Sequence, residues 1–200
     1  MIDNLEVIKP LLNFDKPGDF YMLYILKRKK DQTTDKANHQ SVRTIKTYCI
    51  ESIEYLEERY DEIKQLCEMF KARAYIHVQK QNHEDVSLAM MMELAHRIQS
   101  KQHNQHNLFT SVVGQLKTYE KRWIIDIDTK CWMNALAIQQ YINDECRPLI
   151  GDKIEAIIPT KSGYHFITCR FDVLKFKEKY PDIDIQKKNP TLLYLPESLT

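Results

Sequence analysis

The chain has 200 residues, a formal net charge of +1 and only four glycines. The near-zero charge argues against a histone-like or uniformly basic nucleic-acid coat, although a local basic patch stays compatible with it. Because the glycines are widely spaced, the sequence lacks a Walker-A loop, a dinucleotide-binding fingerprint and the G-x-S-x-G element of hydrolases. Length and composition predict an ordinary globular chain of about one domain, with or without a small second lobe.

The sequence also narrows the cellular compartment. No segment approaches about 18 consecutive apolar residues, so we expect no membrane span, and the first residues do not resemble a secretory signal. The five cysteines are odd in number and form no C-x-x-C pair. This usage indicates reduced thiols and a cytoplasmic location.

The first 120 residues predict an N-terminal α/β lobe. Apolar runs and alternation predict strands over 20–26, 44–50 and 73–79. Apolar residues at every third or fourth position predict helices over about 51–72 and 84–98. Within the second helix, the triple Met90, Met91 and Met92 is interpreted as core filling.

Residues 121–200 predict the element order β-α-β-β-α-β. The predicted strands cover 122–128, 154–159 and 164–169, with a last one starting near Ile183, and the helices cover about 132–146 and 172–180. This order is typical of a ferredoxin/RRM-like sheet. The expected fold class is therefore α+β, with this unit beside the N-terminal lobe.

The sharpest feature is a pair of acids at the end of an apolar strand, Asp126 and Asp128. Alternate residues of a strand share a face, with Cα atoms ~6.5–7 Å apart. An unpaired carboxylate in an apolar run is costly, so Asp126 needs a cation, a hydrogen-bond network or water. Two such acids suit a shared divalent ion. The alternative is a strand that ends at Asp126, with Asp128 capping the next helix.

A polar turn between two predicted strands is the second feature. Lys161, Ser162 and His165 offer hydrogen bonds to a phosphate, and Gly163 supplies the backbone freedom of the turn. The alternative is an ordinary hairpin with a satisfied histidine.

A second pair of alternating acids, Asp182 and Asp184, precedes Lys187 and Lys188. Taken alone, this segment is also compatible with a solvated loop. In a β-α-β-β-α-β unit, however, the first and third strands are adjacent and central, so the acids and His165 are expected on one open face. Three acids beside a phosphate-binding group match the needs of two-metal nucleotidyl transfer.

These motifs together resemble a known family. An apolar strand ending in D-x-D, an S-G-Y-H turn over 162–165 and a later apolar-acid motif, in this order, resemble the archaeo-eukaryotic primase (primase–polymerase) superfamily. Small members of it come from phages and mobile elements. The resemblance covers about residues 73–195 and implies a palm-like core over 121–200, Mg²⁺ or Mn²⁺, a nucleoside triphosphate and a DNA or RNA template. It also allows a partner protein in replication.

The resemblance assigns roles to individual residues. The acids that would bind metal are Asp126, Asp128 and Asp184, with Asp182 left open as an alternative third acid. The residues that would contact the incoming nucleotide are Ser162 and His165, with further contacts from Lys187 and Lys188.

A template also needs a basic and partly aromatic track. The candidates are Lys27, Arg28, Arg73 and Tyr75, and the alternative for the first two is a solvated strand end. Two other functions use the same features. One is a metal-dependent nuclease with His165 as acid or base, and the other is a non-catalytic nucleic-acid or replication accessory protein.

Overall fold

The computed structural model describes residues 1–32, 42–118 and 121–199, which form two antiparallel sheets and six α-helices. The chain is therefore α+β. The strands are β1 (Ile2–Asp3), β2 (Asp19–Lys27), β3 (Arg43–Ile50), β4 (Arg73–Ile76), β5 (Gln81–Asn82), β6 (Trp123–Ile127), β7 (Ile154–Pro159), β8 (Tyr164–Thr168), β9 (Asp184–Gln186) and β10 (Thr191–Leu195). The helices are α1 (Leu5–Ile8), α2 (Ile53–Phe70), α3 (His83–Gln99), α4 (Leu108–Gln115), α5 (Trp132–Glu145) and α6 (Val173–Lys179). Within the described ranges, none of these helices is long and apolar enough to cross a membrane.

The larger sheet has the strand order β1-β10-β4-β2-β3, with β5 beside β2. Alternation along β2 sends its apolar side chains to both faces. Leu23 and Ile25 share a core with the apolar stripe of α2. Phe20 and Met22 pack on the opposite face with residues of α3 and α4.

The smaller sheet has the strand order β7-β8-β6-β9 and follows the predicted element order β6-α5-β7-β8-α6-β9. One face, with Ile125, Ile127 and Phe166, packs on α5 and α6. The other face, with Ile124 and Ile167, joins the core of the larger sheet. The smaller sheet is therefore covered by helices on one side and by the larger sheet on the other.

Polar side chains fasten the two sheets together. The buried Asn4 amide donates to Pro159 O at 3.0 Å and to Leu192 O at 2.9 Å. Arg122 donates to Leu11 O at 2.8 Å and pairs with Glu155 at 2.7 Å. These contacts join segments far apart in sequence and fix the relative position of β6, β7 and β10.

Local signals explain several helix boundaries. Ser52 Oγ accepts from Tyr55 N at 3.0 Å and begins α2, while Lys71, with φ 48°, ends it in the left-handed conformation. Asp172 begins α6 by accepting from Lys175 N at 3.1 Å.

Several features differ from the sequence prediction, which also lacked β1, α1, β5 and β10. The predicted division at residue 120 does not separate the sheets, because β10 lies in the larger one. Helix α4 follows a polar stretch and was not predicted. The interpretation of the methionines as core filling is wrong for Met91 and Met92, which are 69% and 76% exposed.

Candidate functional site

Three of the predicted residues lie in one row across the smaller sheet. Asp126 on β6 is the register partner of His165 on β8 and of Asp184 on β9. By alternation, Asp126 shares the face of Ile124, which points toward the larger sheet. The strand pairing therefore brings together residues that are about 40 and 60 positions apart in sequence.

An acid–histidine contact forms the centre of this row. His165 Nε2 lies 3.5 Å from Asp126 Oδ1, and the two side chains are 12% and 30% exposed. His165 Nδ1 lies 2.9 Å from the hydroxyl of Thr191, a fully buried residue that begins β10. When the imidazole carries its proton on Nε2, that N–H faces the Asp126 carboxylate, and Nδ1 accepts a hydrogen bond from the Thr191 hydroxyl. Thr191 thus orients His165 from the larger sheet.

Gln186 connects the two acids of the row. Its amide nitrogen donates to Asp184 Oδ2 at 3.0 Å and to Asp126 Oδ2 at 3.4 Å. Placed between the two carboxylates, this donor offsets part of their repulsion. Alternation could have identified Gln186, since it follows Asp184 by two positions on the same strand. No local signal points to Thr191, because it reaches the site from the other sheet.

A pocket of about 510 Å³ opens beside the row. Four acids line it, and the other described lining residues belong to the end of β6, to α5 and to the segment that leads into β9. The acids are Asp126, Asp128, Asp182 and Asp184. No lysine or arginine is among the described lining residues. Four carboxylates without a cation in the wall give the pocket a negative potential.

The turn before β8 is pressed against the end of β6. A Cβ atom added to Gly163 would lie 1.9 Å from Ile127 O and 2.8 Å from Thr129 N. Only glycine fits so close an approach of two backbones. The same turn is closed by Thr160 Oγ1, which accepts from Gly163 N at 3.1 Å. The exposed Ser162, which precedes Gly163, therefore belongs to a turn that lies against the end of β6.

The lysines predicted to contact nucleotide have protein groups as partners in this structure. Lys161 donates to Leu199 O at 2.6 Å, and Lys188 donates to Gly114 O at 2.9 Å, at the end of α4. The ammonium of Lys187 lies 5.2 Å above the ring of Trp123. All three stand outside the described lining of the acidic pocket.

The predicted template contact at Arg73 is contradicted by burial. Its guanidinium is 2.6 Å from Asp31, and the two side chains are only 4% and 6% exposed. Tyr75 remains partly exposed, and its hydroxyl accepts from the exposed Arg28 at 3.5 Å. Lys27 lies one residue before Arg28, at the end of β2. A basic and aromatic patch of three residues therefore remains from the predicted track.

The acids do not form a metal site as they are placed. The described residues contain no group of three His, Cys, Asp or Glu side chains that could hold one ion. Carboxylate oxygens of Asp126 and Asp184 contact His165 and Gln186 instead. This arrangement does not fit the oxygen cage that Mg²⁺ or Mn²⁺ requires. The alternative role of Asp128 as a helix cap is wrong, because α5 begins after Cys131.

Comparison with protein-family models, with curated proteins and with solved structures finds no match to this chain. The functional interpretation therefore depends on the geometry of the site itself.

Proposed function

We propose that this chain is a nucleotidyltransferase of primase–polymerase type that acts on DNA or RNA in replication. The observation that carries the proposal is the row of Asp126, His165 and Asp184 on neighbouring strands. The order β7-β8-β6-β9, in which the first and third strands of the unit are central, is that of a ferredoxin-like sheet and supports the proposal of a palm-like core. The acidic pocket at the end of β6 adds room for a ligand that carries cations.

Nucleotidyl transfer needs positioning and charge more than a protein nucleophile. A hydroxyl oxygen forms a bond to the α-phosphorus of a nucleoside triphosphate as the α–β phosphoanhydride bond breaks, pyrophosphate leaves, and the proton of the hydroxyl passes to water. In the proposed role, His165 Nε2 and the Ser162 hydroxyl donate to phosphate oxygens, and Thr191 keeps the imidazole oriented. Asp126, with Asp184 beside it, is the acid on which activity depends. Since the acids as placed do not fit a metal, no step is assigned to one.

A second candidate function is a non-catalytic accessory protein on the same fold. Two observations favour it. No three metal-binding side chains converge among the described residues, and the three candidate lysines bind protein groups. In this case the acids of the row serve only the packing between strands.

Nucleotide incorporation on primed and unprimed templates separates these candidates. The wild-type protein should extend or start strands with Mg²⁺ or Mn²⁺, and Asp126→Asn should lower the rate by about 100-fold or more, the scale for loss of one electrostatic contact to a transition state. Asp144→Asn, an exposed acid of α5, is the matched control and should keep full activity. Full activity in Asp126→Asn would show that the site is misassigned. Shortened strands would identify a nuclease instead.

Thermal melting tests binding without turnover. Mn²⁺ with a nucleoside triphosphate should raise the melting temperature of the wild type, because a ligand of the native state stabilises it. The shift should vanish in Asp126→Asn/Asp128→Asn. A melting temperature unaffected in both proteins, together with no incorporation, would favour the accessory function.

A further inference from the structure

The outward side of α3 exposes a stripe of apolar residues. Leu88, Met91, Met92 and Ile98 are 55%, 69%, 76% and 65% exposed. Leu88, Met91, Ala95 and Ile98 are spaced by three, four and three residues, the pattern of a seam between two packed helices. We call these five residues the α3 stripe. A solvated helix would carry polar residues at such positions.

The opposite side of α3 holds the helix on the protein. Val86 is its only buried residue, and all of α3 lies within the described ranges. Val86 and the partly buried Met90 pack with Phe20 and Val112 in the core beneath the helix. The α3 stripe therefore contributes little to the fold of a single chain, and its exposure calls for a partner.

Acidic and basic side chains lie at opposite ends of α3. Glu84 and Asp85 are in the first turn, while His96 is in the last turn and Lys101 comes two residues after the helix. Arg97, also in the last turn, already pairs with Glu93 of the same helix at 2.8 Å. Two such helices packed antiparallel place each acidic end beside a basic end. Two packed in parallel place like charges together. The helix dipoles favour the same antiparallel choice.

We propose that two copies of this chain associate through their α3 stripes, antiparallel and about a two-fold axis near residue 93. Across that axis, Leu88 of one copy lies opposite Ile98 of the other, and the large Met91 lies opposite the small Ala95. Such a self-complementary surface is what a two-fold dimer requires. Leu88 and Met92 also line a groove of about 1210 Å³ that is bounded by α3, by the end of α4 and by residues 15–19 and 80–82.

Sedimentation or light scattering over a concentration series tests the association. The wild type should pass from monomer to dimer, and Met91→Glu/Ile98→Glu should remain monomeric. Leu174→Glu is the matched control, because Leu174 is 81% exposed on α6, and it should dimerise as the wild type does. Circular dichroism should show all three proteins folded. A wild type that stays monomeric at the highest soluble concentration, or a dimer that survives Met91→Glu/Ile98→Glu, would overturn the proposal.

Charge reversal tests the antiparallel orientation. Glu84→Lys/Asp85→Lys should raise the dissociation constant of the dimer about fivefold or more, since an attraction becomes a repulsion at both ends of the pair of helices. Adding His96→Glu/Lys101→Glu to the same chain should restore it. In a parallel dimer, Glu84→Lys/Asp85→Lys only replaces a contact between like negative charges with one between like positive charges. An unchanged dissociation constant would therefore contradict the antiparallel orientation.

Discussion

The two sheets hold their charged side chains in opposite ways. In the larger sheet, Arg73 and Asp31 form a 2.6 Å pair, and less than a tenth of either side chain is exposed. In the smaller sheet, Asp126 and His165 are 3.5 Å apart, and 30% and 12% of their side chains reach solvent. A buried pair is committed to its partner, because either charge alone is costly there. Each group of a pair that reaches solvent can exchange the other for a ligand.

The histidines show the same contrast. His77, which follows β4 in the larger sheet, lies edge-on to the ring of Tyr24, and burial lowers the pKa of its imidazole to about 4. His165 instead has a hydroxyl on one ring nitrogen and a carboxylate near the other. Polar groups in the larger sheet thus form buried contacts that serve stability, whereas the acid and the histidine of the row in the smaller sheet remain in part accessible to solvent.

The largest expected effect comes from breaking the buried pair. Arg73→Met leaves the Asp31 carboxylate buried without its cation and should reduce the free energy of unfolding by about 3–5 kcal/mol. Urea denaturation followed by circular dichroism measures the change. Replacing both partners, as in Arg73→Met/Asp31→Leu, should recover much of the loss. A loss below about 1 kcal/mol for Arg73→Met would show that the pair behaves like a surface contact.

The second largest effect is expected from His77 in acid. The pKa of His77 falls from 6.5 to about 4 on folding, so the unfolded chain binds a proton that the folded chain does not. Its contribution is therefore complete above pH 6.5 and is lost as the pH falls toward 4, by up to about 3 kcal/mol. Unfolding free energies measured between pH 7 and 4 should decline less steeply in His77→Gln than in the wild type. A matching decline in both proteins would contradict the lowered pKa of His77.

The third largest effect on stability is expected from the turn that contains Gly163. Gly163→Ala forces a Cβ atom against Ile127 O and should cost about 1–3 kcal/mol through overpacking. Gly114→Ala is the control, because nothing lies within 4 Å of a Cβ atom there. It should stabilise α4 by about 0.5–1 kcal/mol. If the two substitutions had equal effects on the urea midpoint, the close approach of the turn to β6 would be wrong.

The smallest expected effect on the free energy of unfolding comes from a substitution in the site itself. Asp126→Asn should change the free energy of unfolding by no more than about 1 kcal/mol, because the pair with His165 is long and partly hydrated. The same denaturation experiment measures it beside Arg73→Met. A cost similar to that of Arg73→Met would place Asp126 among the structural residues and remove the contrast between the sheets.

The elements with strong periodicity were predicted within a few residues. The β-α-β-β-α-β order followed from apolar runs and from the stop at Pro181. The row of Asp126, His165 and Asp184 also followed, because alternation and strand order together fix which side chains share a face.

Features that depend on contacts between the sheets could not be predicted from the sequence. Thr191 reaches His165 from β10, and Asp31 neutralises Arg73 across 42 positions. Arg73 alternates with apolar neighbours like an exposed residue, and its sequence carries no sign of a buried partner. The α3 stripe gave the opposite error, because its methionines, Met91 and Met92, were predicted to be buried and are exposed. Apolar periodicity shows which face of a helix is apolar and not what covers that face.

The position of β10 has a consequence for the order of events during synthesis. β10 lies between β1 and β4, yet it follows every other strand along the chain. All four strands of the smaller sheet leave the ribosome before β10. That sheet can therefore close while β1 still lacks β10, its only strand partner among the described residues. The sheet that begins first is therefore completed last, and its open edge must remain unaggregated until residue 195 emerges.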